Sequence, residues 1–230
     1  MKTKFGMRAL GLLLVVALAG AIFVPGVSAY QADSYGFDTD EPSPLDTRPT
    51  ANYVKNKLSS MGYNPSDRHY DERAIDGYDE LEDTDVFFFS GHSSPGRLQF
   101  GENAGGRLTF IFADGTLLPR ISEMSQNQLS NLKLAVYLGC FSATTDNNLG
   151  NLVEETSDKG ADCVIGFEQT INSAAADYWA REFFDALDDG QNIGNAFDIA
   201  WWAEYLEYGD DGGLSHKIIE GDDNQIIDLY

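Results

Sequence analysis

Three short, uninterrupted apolar runs constrain this chain more than anything else in it: VFFFS (Val86 to Ser90), KLAVYLG (Lys133 to Gly139) and CVIGF (Cys163 to Phe167). A strand with one wet face alternates apolar and polar residues, whereas these do not alternate. They are also too short to read as buried helices. Runs of this kind are strands covered on both faces, as in a parallel sheet with helices packed above and below it. The intervening segments supply those helices. Leu149 to Lys159 reads as a helix stopped by Gly160. SAAADYWAREFFDALD (Ser173 to Asp188) is amphipathic, turning Trp179, Phe183, Phe184 and Leu187 to one side, and Ile193 to Tyr208 is a further aromatic-rich helix. Strands alternating with helices predict an α/β fold, with a mostly parallel sheet joined by right-handed crossovers.

The remainder is read by the same rules. Gln31 to Thr39 is a short first strand, and Asp40 to Pro49, with three prolines, is a loop. Thr50 is placed to cap a helix over TANYVKNKLSSMGY that ends at Gly62. Asp71 to Asp85 is helical in part, Gly96 to Thr116 is a hairpin, and Leu117 to Leu132 contains a helix. HKIIEGDDNQIIDL is expected to form two short strands around a Gly-Asp turn. The acid pairs Asp210–Asp211 and Asp222–Asp223 lack a complete calcium loop and read as solvated turns.

The chain begins with Lys2, Lys4 and Arg8, then an apolar run from Ala9 to Val24, then Val27-Ser28-Ala29. That order is the pattern of an export signal over residues 1–29, with an uncleaved membrane anchor as the alternative. Residues 30–230 then form a single domain large enough for a full core. Acids outnumber bases by 37 to 15, for a formal net charge of −22. Such a surface repels nucleic acid and anionic lipid, and neither is expected as a partner.

The stretch GHSSP after the first buried run begins like the G-x-S-x-G elbow of serine hydrolases. Its fifth position is Pro95, where a glycine with a free N–H is needed. The loop then offers His92 rather than Ser93 for chemistry, and an imidazole needs a partner. Cys140 follows the second buried run just as His92 follows the first. Carboxyl ends of parallel strands are where open α/β sheets place their sites. A thiol is only a few per cent thiolate at neutral pH, and a neighbouring histidine takes its proton and later returns one to a leaving amine. Backbone N–H groups of Gly91 or near Cys140 would face the oxyanion. The competing reading is a disulfide between Cys140 and Cys163, the only cysteines. If the second and third runs are parallel neighbours, roughly 16 Å separates the two cysteines along the strands, too far for a disulfide. His69 and His216 read as surface residues, and no metal or other cofactor is expected.

With these residues, the sequence resembles the caspase-like cysteine peptidases, the group that holds clostripain, gingipain, separase and CHAT-type domains. VFFFSGHSS, LAVYLGCFSATT and the stretch from Gly160 to Ala200 carry the likeness. The resemblance implies a caspase-like three-layer sandwich whose sheet has about six strands. It implies peptide-bond hydrolysis through a thioester, with Cys140 as nucleophile, His92 as base, and Gly91 and Gly139 flanking them. Ser93 stands where the family usually has a glycine whose N–H faces the oxyanion. Ser94, Arg97 and the hairpin Leu98 to Phe112 fall where family members shape substrate pockets. The expected partner is a polypeptide. Arg97, Arg107 and Arg120 suit an acidic side chain and the many carboxylates a basic one, so preference stays open. The alternative function is a catalytically inactive binding module on the same scaffold at the cell surface.

Overall fold

The computed structural model describes residues 30–40, 43–66, 69–209 and 212–229. The expected export signal and the acids Asp210 and Asp211 lie outside them.

A central sheet dominates. Its strands are β1 (Gln31–Gly36), β6 (Val86–Ser90), β10 (Leu134–Leu138), β11 (Cys163–Phe167) and β12 (Lys217–Gly221), with two short segments, β4 (Asn64–Pro65) and β5 (His69–Tyr70), while β2 (Asp38–Thr39) and β3 (Leu45–Asp46) form a separate two-stranded ribbon. The order across the sheet is β12-β11-β10-β6-β1. β4 and β5 occupy successive stretches of β1's outer edge, so the sheet is six positions wide. All neighbours run parallel except β12, which is antiparallel to β11. The mixed α/β fold with a mostly parallel sheet agrees with the sequence reading.

The continuous apolar runs have their physical explanation in two cores. Val86, Phe88, Leu134, Val136, Cys163, Ile165 and Phe167 face one side, beneath α1 (Arg48–Ser60), α4 (Ser173–Asp188) and α5 (Ile193–Tyr208). Phe87, Phe89, Ala135, Tyr137 and Val164 face the other. There α2 (Ala74–Glu80), α3 (Leu152–Asp158) and the hairpin of β8 (Arg97–Glu102) and β9 (Leu108–Phe112) cover them. Alternate residues of each strand serve different layers, and both layers are dry.

Several local expectations are corrected. The first helix begins at Arg48 rather than after Thr50, with Pro49 in its first turn, where its missing N–H costs nothing. Thr47 is the N-cap residue, but its hydroxyl is used elsewhere, donating to Ser90 O and accepting from Phe37 N. Thr50 instead bonds Asp177 on α4. Within Leu117 to Leu132 only a single 3-10 turn forms, Ile121–Glu123. The polar run that follows bonds its own backbone, with Gln128 Oε1 accepting from Ser125 N. The terminal segment gives one strand, not two. At Gly221, φ is +97° and an added Cβ would sit 2.1 Å from Asp162 O, so the chain turns away there. His69 is not a surface residue. It stacks on Tyr35 at 4.5 Å, with Nε2 2.8 Å from Oδ1 of the buried Asp33. Burial pulls its pKa down, but the bond and charge of Asp33 outweigh that and hold it above the ordinary value.

Candidate active site

The β6–β10 register decides where the two singled-out side chains stand. Leu134 pairs with Val86 and Leu138 with Ser90, in step along the whole strand. Two residues past the last pair, His92 and Cys140 are level with each other on the same rim of the sheet. Both line one cleft of about 820 Å³ with Ser43, Leu45, Ile171 and Asp177.

Each loop is held by specific bonds. Ser93 Oγ donates to Cys140 O at 2.6 Å, joining the histidine loop to the cysteine loop, and Gly91 N donates to Leu138 O at 3.2 Å. The approach is so close that only glycine fits at 139: an added Cβ would lie 2.3 Å from Ser93 Oγ and 2.8 Å from Gly91 O. Ser142, fully buried, donates to Tyr137 O and accepts from Phe167 N, pinning the cysteine loop to β10 and β11. Between them Phe141 adopts φ +58°, a left-handed conformation that costs a non-glycine residue about 1–3 kcal/mol and is sustained by its N–H bond to Gln169 O.

The imidazole is oriented by its far nitrogen. His92 Nε2 lies 2.9 Å from Ser43 O. A carbonyl only accepts, so Nε2 carries the hydrogen, and in the neutral ring Nδ1 presents its lone pair. The sulfur is itself held in place, since Ile171 N donates to Cys140 Sγ at 3.3 Å and Sγ lies 3.9 Å from Ile171 O. Ser93 N–H is left out of the neighbouring ladder. Gln99 N donates to His92 O, so Ser93 and Leu98 form the non-hydrogen-bonded pair between β7 (Ser93–Ser94) and β8.

The disulfide alternative fails on topology. Ala135 pairs with Val164, which puts Cys163 level with Leu134, six residues before Cys140 and about 20 Å away along the strand. Both cysteines are free, Cys140 partly exposed and Cys163 buried. Burial, with a smaller contribution from Asp223, Asp222 and Asp162, pushes the Cys163 thiol up to about 12. Alkylation at pH 8 followed by peptide mapping is therefore expected to modify Cys140 alone in the folded protein, and both cysteines once it is unfolded. Gly139→Ala is expected to displace the histidine loop with the fold retained, read as a change in the alkylation rate of Cys140 alongside an unchanged melting curve.

Ser94 lines the same cleft, but Arg97 does not. Its guanidinium lies 5.0 Å from the Phe110 ring centroid and its Nε donates to Ser94 Oγ, on a smaller hollow of about 270 Å³ beyond His92. Arg120 is occupied by Glu123. Sequence reasoning missed the Ser43 carbonyl, the Ile171 N–H and Asp177. The first two are backbone groups, for which no residue type signals. Asp177 was hidden inside a helix. There burial raises its pKa, yet the Arg181 and Thr50 hydrogen bonds outweigh burial and hold its carboxyl below the usual range.

Against known proteins, no family model and no curated protein matches the sequence. Solved structures do match. Gingipain R, described as an Arg-specific cysteine proteinase, superposes with a TM-score of 0.66 at 15% identity over 85% of this chain. The chain has the gingipain fold. A complex of the pro- and mature domains of RgpB from Porphyromonas gingivalis gives 0.64 at 15% identity, covering 86% of this chain, and a structure described only as a protease gives 0.64 at 13% over 88%. The chain spans about half the length of these structures, 47%, 48% and 49%. Among the described residues, no helix is long and apolar enough to cross a membrane.

Proposed function

We propose that this chain is an exported cysteine endopeptidase working through Cys140 and His92, akin to the clostripain, gingipain and CHAT-type domains. One observation carries the reading: two adjacent parallel strands deliver a thiol and an imidazole, in register, into a single cleft. His92 Nδ1 takes the Cys140 proton, and the thiolate attacks the scissile carbonyl carbon. The oxygen of the resulting tetrahedral intermediate faces the N–H groups of Ser93 and Cys140, so serine in place of glycine retains the donor that is needed. Nδ1–H then protonates the leaving amine, the C–N bond breaks and a thioester remains. Water, deprotonated by the same imidazole, releases the acid and restores the thiol. The acyl half of the substrate lies against Ser43, Leu45, Ile171 and Asp177.

The test is cleavage of a mixed peptide library by the reduced protein, with Cys140→Ala as control. Discrete cuts that vanish in the variant support the reading. A folded wild-type protein that cuts nothing and resists thiol-directed probes sinks it in favour of the binding-module alternative.

A further inference from the structure

A second large cavity, about 800 Å³, opens on the other side of His92 and does not reach Cys140. Its floor is aromatic: Phe37 and Phe100 are buried edge to face at 5.3 Å, and Phe110 stands beside them. Its wall is a constructed one. Gly101 N donates to Glu72 O at 2.7 Å, and an added Cβ at Gly101 would lie 2.0 Å from Asp71 O, so β8 lies directly on the loop carrying Asp71. Four carboxylates, Asp38, Asp40, Asp71 and Glu102, line the opening against one guanidinium, Arg107. Asp38 is matched by Arg48 at 2.6 Å, which leaves the balance negative.

The proposed chemistry fixes which half of a substrate lies here. The acyl carbon must sit on Cys140 Sγ, and the imidazole must reach the departing nitrogen to protonate it. The imidazole therefore stands between the thiol and the leaving fragment. A cavity that includes His92 but not Cys140 lies on the leaving-fragment side. We propose that it is the subsite for the first or second residue after the cut bond, and that it takes lysine or arginine, whose apolar stem covers the phenylalanines while the cationic head meets Asp40, Asp71 and Glu102. This rests on the assignment of Cys140 and His92 above.

The test takes the best-cleaved library peptide and resynthesises it with Lys, Ala or Glu at the two positions after the cut. Lys is expected to exceed Glu about tenfold in kcat/KM at low salt, with the ratio shrinking as NaCl is raised. The Asp40→Asn, Glu102→Gln double variant should bring the ratio toward one, whereas Asp198→Asn, a remote carboxylate paired with Lys217, should leave it in place. A flat or Glu-preferring profile in an enzyme that does cut, or a ratio indifferent to salt, overturns the subsite while leaving the catalytic pair standing. Failure of the folded protein to cut any peptide overturns the catalytic assignment, and this subsite with it.

Discussion

Cys140→Ala is expected to lower peptide hydrolysis at least about 10⁴-fold while leaving the melting temperature near that of the wild type, because the residue is partly exposed and its loop keeps its bonds through Ser93, Ser142 and Phe141 when the Ile171 bond to the sulfur is lost. His92→Ala should cost about 10²- to 10⁴-fold, the usual worth of a positioned acid–base group. The two losses should not add. A thiol without its base and a base without its thiol disable the same step, so the double variant is expected to match Cys140→Ala. Single-turnover assays on the best library peptide, with far-UV circular dichroism as a folding control, check all three. Retained hydrolysis in Cys140→Ala would move the nucleophile elsewhere.

The largest loss of stability is expected at Trp179. This fully buried ring stacks on Phe183 at 4.8 Å and packs against Phe197 at 5.1 Å and Phe167 at 5.6 Å, so it joins α4 both to α5 and to β11. Trp179→Ala empties the centre of that cluster and should cost about 3–5 kcal/mol. In a domain of this size that corresponds to a fall of about 6–20 °C in Tm. Trp179→Phe should cost far less. It keeps most of the ring contact, and it removes Nε1, which is buried without a hydrogen-bond partner among the described residues and is itself a debit. Thermal melts of the pair separate lost packing from lost indole chemistry. If alanine and phenylalanine variants melt together, the cavity argument fails.

The central fold was legible in the sequence because two-sided burial leaves a mark that local effects cannot blur. Five consecutive apolar residues, as in β10 and β11, have no other cheap explanation, and Ser173–Asp188 and Ile193–Tyr208 were readable to the residue. The errors fall where a side chain has two possible employers. Thr50 looks like a cap and Thr47 does not, yet tertiary contacts assign Thr47 to Ser90 and Thr50 to Asp177. Leu117 to Leu132 has enough apolar residues for a helix, but Gln128 Oε1 takes the Ser125 N–H and Asn127 turns to φ +65°, which interrupts the helical run. At the candidate site, strand ends pointed to His92 and Cys140. What sequence could not supply was the support: a carbonyl at Ser43, an amide at Ile171, and the hydroxyl of Ser93 reaching across to the next loop.

That crossing bond has a consequence for how this protein dies on heating. Because the histidine segment is fastened to the cysteine segment, and both emerge from the two innermost strands, neither can fray alone as an ordinary surface turn would. Catalytic competence and cooperative structure should then vanish together, so that residual activity on warming traces the same curve as the loss of the sheet.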